Sequence, residues 1–217
     1  KFLPTDLSDR WIVPALCRYL SFHQLRVFHG NNEYRLQLRA DLQSVLQLEQ
    51  DTHQRPLHHR HHHFELDPHY SVDNVCYQWM AKKGRLVLVM LEQCIGKQNI
   101  QKILMQMFID ANASEERAID DLYSINYLQR CIKRITGKEM RGFLEQWLMT
   151  AGVPKFEVSF TYNRKKSCVE FNISQSLLAS DTTIDRSDTE SASKRKPARF
   201  TGPLLLRIHE TDTAYAH

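Results

Sequence analysis

Between residues 8 and 28, apolar side chains recur at three- and four-residue spacing, at Trp11, Ala15, Leu16, Tyr19, Leu20 and Leu25. That is the period of a helix with one buried face. Tyr34, Leu38, Leu42, Val45 and Leu46 repeat the pattern over 33–50. His29-Gly30-Asn31-Asn32 lies between the two runs and supplies turn chemistry and a helix N-cap. The same period predicts helices over 72–95, 97–110 and 115–135, with Gly84 and Gly96 as punctuation. Thr136-Gly137-Lys138-Glu139 matches a capping box, in which Thr136 would accept from the Glu139 amide. It is expected to open a helix with Met140, Phe143, Leu144, Trp147 and Leu148 inward, closed by Gly152 and Pro154.

From Phe156 the period shortens to two. Phe156, Val158, Phe160 and Tyr162 alternate with polar residues, and Val169, Phe171 and Ile173 do the same after Asn163-Arg164-Lys165-Lys166. This predicts a β-hairpin. Residues 176–199 are polar, rich in Ser, Thr and Asp, and read as a flexible loop. A last strand is expected over 203–210, burying Leu204, Leu206 and Ile208. The fold class is therefore α+β, with a helical domain over 1–152 and the beginning of a β-domain over 153–217.

Composition narrows the function classes. The 217 residues are 42% hydrophobic and 25% charged, enough for a real core. Net charge is +4 and evenly spread, with 19 basic and 17 acidic residues over 1–152 and 10 and 8 over 153–217. No broad electrostatic footprint for nucleic acid follows from that, although a local patch stays open. The cysteines at 17, 76, 94, 131 and 168 are odd in number and never in CxxC spacing. Free buried thiols in a reducing compartment, cytosolic or nuclear, are the simplest expectation. No run approaches a transmembrane helix, so no membrane partner is expected. The chain opens at Lys1 directly into patterned sequence, and it is expected to be a fragment of a larger protein.

Several residues invite a chemical reading. Residues 53–70, HQRPLHHRHHHFELDPHY, hold seven of the eleven histidines, with Glu65 and Asp67 close by. The i,i+4 pair His58 with His62 has no apolar periodicity around it to form a helix. A solvated loop is therefore preferred to a metal site, and no cofactor is expected. Glu92 and Glu139 could serve as general bases, but neither has a histidine partner in sequence. Arg164, Lys165 and Lys166 form a basic cluster on the hairpin turn, a candidate nucleic-acid contact set against an ordinary solvated turn. Lys194-Arg195-Lys196 could be a nuclear-import or phosphate-contact patch.

Two stretches carry a family likeness. Asp9-Arg10-Trp11-Ile12-Val13-Pro14-Ala15-Leu16-Cys17-Arg18-Tyr19 resembles the D-x-W-L-N-E-G-F-A-x-Y segment of zinc aminopeptidases of the aminopeptidase N class. The run from Lys83-Gly84 to Leu91-Glu92, with Gly96 after it, is similar to that family's Y-x-K-G segment. Phe143, Trp147, Gly152 and Pro154 resemble its later F-x-x-x-W-x-x-x-x-G-x-P. Closer still is a likeness to the aminopeptidase-like TBP-associated factors of the general transcription factor TFIID. It rests on Gly30-Asn31-Asn32-Glu33-Tyr34-Arg35, on Val153-Pro154-Lys155-Phe156 with Ser159-Phe160 and Asn163-Arg164-Lys165-Lys166, and on Thr201-Gly202-Pro203-Leu204 leading to Glu210.

The resemblance implies the C-terminal helical part of a thermolysin-like peptidase domain followed by the start of an antiparallel β-sandwich. It also implies lost chemistry. Pro14 stands where the enzymes have the glutamate that completes a His₂Glu zinc site, and Ala81 where they have the tyrosine that stabilises the oxyanion. Losing one oxyanion donor alone costs about 10²–10³ in rate. The implied protein is a non-catalytic nuclear scaffold in RNA polymerase II initiation, with no metal and no catalytic residues. Its partners would be TBP and other TBP-associated factors within TFIID, with core-promoter DNA as a further contact. The alternative is an active zinc aminopeptidase with atypical ligands, for instance from residues 58–69.

Overall fold

In the computed structural model, the described residues are 7–51, 56–58, 74–113, 123–150, 152–177, 200–202 and 204. After a 3-10 turn at Leu7–Asp9, a helical run α1 spans Ile12–Asp51. Pro14 fits inside its first turn, where a helix amide has no partner to lose. Gly30 breaks the run with φ 82° and ψ −178°, a conformation open to glycine without a Cβ penalty. The break reverses the chain. Arg18 Nη2 lies 2.6 Å from Asp41 Oδ1, whereas 23 residues of straight helix would span roughly 35 Å. The turn expected at 29–32 is thus present, reduced to a single non-helical residue.

Helices α2 (Asn74–Ile95) and α3 (Lys97–Ala113) meet at Gly96, whose φ of 90° turns the chain in one residue. Helix α4 (Ile125–Thr136) is capped by Ser124, which accepts from the Tyr127 amide, and ends in left-handed Gly137. The short helix α5 (Arg141–Leu144) runs into a π-helical turn, Glu145–Met149. Trp11, Ala15, Leu91, Ile100, Ile103, Ile132, Leu144 and Leu148 form the centre of one core shared by these helices. At its middle α1 and α2 approach so closely that a Cβ on Gly84 would sit 2.5 Å from the Ala15 Cβ.

Strands β1 (Pro154–Asn163) and β2 (Cys168–Leu177) form a two-stranded antiparallel sheet, with Phe160 opposite Phe171 and Val158 opposite Ile173. The change of period at Phe156 therefore marks a real hairpin, and the architecture is mixed, helical with an antiparallel sheet.

Four expectations are corrected. Thr136 does not open a helix: it is the last residue of α4, and its hydroxyl donates to Ile132 O. Left-handed Gly137 terminates that helix first, and Glu139 pairs instead with Lys133 at 3.3 Å. Leu42 is 44% exposed, because the buried stripe of the second α1 limb runs through Asp41, Val45 and Glu49. Leu204 is 46% exposed rather than buried, while the rest of the expected strand and most of 176–199 lie outside the described residues. Cys17, Cys94, Cys131 and Cys168 are free, yet among these four only Cys131 is buried and Cys17 is exposed.

Candidate functional site

Pro14 and Ala81, the positions singled out by the peptidase resemblance, both lie beside the α1–α2 crossing. Pro14 and Ala81 are both buried, one residue from Ala15 and three from Gly84, the pair that sets the close approach. Neither side chain has an atom that can ligate a metal or donate a hydrogen bond.

Around this crossing the buried groups are polar and paired, and hydrophobic patterning does not reveal them. Asp41 receives Arg18 Nε and Nη2 at 2.8 and 2.6 Å, and Arg85 Nη1 at 2.6 Å. Burial pushes the Asp41 carboxyl up, but the hydrogen bonds and charges of Arg18 and Arg85 outweigh it and hold it below the usual carboxylate range. Arg85 is wholly buried and stacks on the Phe22 ring at 3.6 Å, a desolvated cation–π contact. Its Nε and Nη2 find no hydrogen-bond partner among the described residues. Two turns along the same limb, Glu49 Oε1 accepts from Lys83 Nζ at 2.6 Å and from Trp79 Nε1 at 3.2 Å.

Glu92, a candidate base in sequence, accepts from the Tyr19 hydroxyl at 2.9 Å. Burial and that bond push the Tyr19 hydroxyl far up, so it stays a donor. Burial pushes the His23 imidazole down. These groups fasten three helical segments together, and none faces a nucleophile with a base behind it.

Of the histidine-rich tract, Pro56, Leu57 and His58 are described, and they overturn the solvated-loop expectation at that end. Leu57 and His58 are 4% and 5% exposed. The His58 amide donates to Leu148 O at 2.8 Å, and its Nδ1 lies 3.1 Å from Asp9 Oδ1. Asp9 also accepts from the Ile125 amide at the start of α4, so this histidine anchors its segment to the core. Residues 59–70 lie outside the described residues. Among the described residues, no group of three His, Cys, Asp or Glu side chains could hold a metal ion. None of the described helices is long and apolar enough to cross a membrane.

The basic cluster sits where sequence put it. Arg164, Lys165 and Lys166 are exposed on the turn between β1 and β2. Asn163 Oδ1 accepts from the amides of Lys165 and Lys166, an Asx-type turn that presents the side chains outward. Lys166 Nζ lies 3.7 Å from Glu170, which offsets part of the charge.

The helical part touches the hairpin through Phe200 and Thr201, a contact that the sequence pattern does not signal. Phe200 is 8% exposed and packs on Trp147 of the π-helical turn with ring centroids 4.8 Å apart. Gln146 Oε1 accepts from both the amide (2.7 Å) and the hydroxyl (3.0 Å) of Thr201. The Gln175 amide of β2, in the orientation that satisfies both its ends, donates to Phe200 O and accepts from Phe200 N.

Comparison with known proteins finds similarity along nearly the whole chain. The family model for the TAF2 Ig-like domain matches residues 151–217. Transcription initiation factor TFIID subunit 2 of Drosophila melanogaster is 24% identical over 97% of this chain and 18% of its own length. The Caenorhabditis elegans protein of that name is 27% identical over 99% of the chain and 20% of itself. The Schizosaccharomyces pombe protein is 25% identical over 99% and 19%. The chain is a relative of TFIID subunit 2. It spans about a fifth of the length of these TFIID subunit 2 proteins. The matched span covers both the helical part and the hairpin.

Proposed function

We propose that this chain is a segment of a non-catalytic scaffold subunit of TFIID, acting in complex assembly and core-promoter recognition during RNA polymerase II initiation. The observation that carries the reading is the similarity to TFIID subunit 2 across 97–99% of the chain. Pro14 and Ala81 support its non-catalytic half: both are buried and apolar at the positions that, in the aminopeptidase resemblance, supply the third zinc ligand and the oxyanion donor. In this proposal residues 1–152 are the helical end of a thermolysin-like peptidase domain, and 153–217 begin a β-sandwich. The apolar face of the hairpin is then the inner face of that sandwich.

A scaffold works by presenting a surface whose shape is already fixed, so that little conformational freedom is lost on assembly. The buried ion pairs of α1 and α2 supply that rigidity. The partners proposed are TBP and other TBP-associated factors in the nucleus, with core-promoter DNA meeting Arg164, Lys165 and Lys166.

The test is metal analysis and an aminopeptidase assay on the purified full-length protein, alongside the composition of the complex it purifies with. Absence of turnover with TBP-associated factors in the complex is the expected result. Stoichiometric zinc with peptide turnover would overturn the scaffold reading, and a complex free of TBP-associated factors would overturn the TFIID assignment.

A further inference from the structure

Thr201 is exposed, yet it holds two parts of the molecule together. A single oxygen, Gln146 Oε1, accepts from its amide and its hydroxyl, while the preceding Phe200 fills the space over Trp147 and is bracketed by Gln175 of β2. The clasp therefore joins the π-helical turn after α5 to the sheet through two residues. Its sequence setting is basic: Lys194-Arg195-Lys196 precedes it, and Arg199 lies two positions before Thr201. A kinase whose peptide groove is acidic reads basic residues on the N-terminal side of its target by charge complementarity.

We propose that Thr201 is a phosphorylation site, and that its modification releases the Phe200 clasp between the helical part and the hairpin. In the transfer, Thr201 Oγ attacks the γ-phosphorus of ATP. The Oγ–P bond forms as the bond to the bridging oxygen breaks, ADP leaves, and the hydroxyl proton passes to the kinase's base. The product replaces a donor with acceptor oxygens carrying about two negative charges, opposite an oxygen that is itself an acceptor. Rotating the Gln146 amide to offer its NH₂ to the phosphate would leave the Thr201 amide without its acceptor, so one bond is lost in either orientation. Phe200, still bonded to Gln175 of β2, is then held beside Trp147 by one bond fewer to the helical part.

The experiment treats the full-length protein with ATP and a kinase selective for basic motifs, locates phosphate by mass spectrometry, and follows amide exchange over 143–149 and 170–177. Phosphate at Thr201 with about tenfold faster exchange in both segments is expected. Thr201→Val, which keeps the shape and removes the hydroxyl, should accelerate exchange without kinase, and kinase should then change nothing further. No phosphate at Thr201, or phosphate with exchange unaltered in both segments, would overturn the proposal. The scaffold reading fails separately, by zinc-dependent turnover or by absence from the complex.

Discussion

Asp41 stands between two guanidinium groups and is 2% exposed. Removing its charge leaves Arg85 wholly buried without a counter-ion. Breaking a buried pair from one side costs about 3–5 kcal/mol, so Asp41→Asn should lower unfolding free energy by that order in urea titrations. The sign of the pH effect follows from the depressed carboxyl. Its contribution is complete above the ordinary carboxylate range, near pH 4, and is lost as pH falls through the lower folded value. Asp41→Asn should therefore flatten the acid limb of stability against pH, which denaturation between about pH 2 and 6 would read. Nothing in the hydrophobic pattern signals this residue. The period puts its apolar neighbour Leu42 inward, whereas in the fold Asp41 shares the buried face with Val45 and Leu42 is exposed.

Among the elements, the α1–α2 crossing depends on having no Cβ at position 84. Gly84→Ala would place a methyl 2.5 Å from the Ala15 Cβ and 3.1 Å from the Trp11 ring. Separating the two helices should cost about 1–3 kcal/mol, seen as a lower melting temperature. Adding Ala15→Gly to Gly84→Ala should recover part of that loss, and a double-mutant cycle measures the coupling. In sequence Gly84 looked like punctuation, since a glycine in a helix gives the same signal whether it ends the element or admits a neighbour. Similarly, Thr136-Gly137-Lys138-Glu139 satisfied a capping pattern, but the left-handed glycine decided which helix owned the threonine. The hairpin turn is the converse case, because Asn163 and the basic run already specify an exposed tip. If that tip meets promoter phosphates, changing Arg164, Lys165 and Lys166 together to Gln should reduce the salt dependence of DNA binding by about two to three phosphates. An unchanged slope would place the contact elsewhere.

For the molecule as a whole, the hairpin leaves an apolar face uncovered: Phe160 is 71% exposed, Tyr162 61% and Val158 46%. Two strands with such a face are marginal alone and need further strands or a packed layer. If residues 153–217 open a β-sandwich in the full-length protein, Phe160 and Phe171 are buried there. Phe160→Asp should then destabilise the full-length chain by about 3–5 kcal/mol, the cost of losing a core aromatic, in thermal melts or limited proteolysis. A change within about 0.5 kcal/mol would mean the face stays open to solvent.

What the sequence determined alone was whatever is periodic or conformationally exclusive. The helices, the reversal at Gly30, the change to strands at Phe156 and the turn after Asn163 all follow from spacing and from residues that reach backbone conformations closed to most others. The family likeness is legible for the same reason, as order and spacing along the chain. Only the tertiary structure decided which polar residues go inside. Asp41, Glu49, Lys83 and Arg85 read as solvated charges until folding brings each beside its partner, as many as 44 residues away in the case of Arg85 and Asp41. His58 became a core anchor and Thr201 a clasp in the same way. A buried charge is tolerated only through the pairing that holds it, and pairing across such separations is a property of the fold.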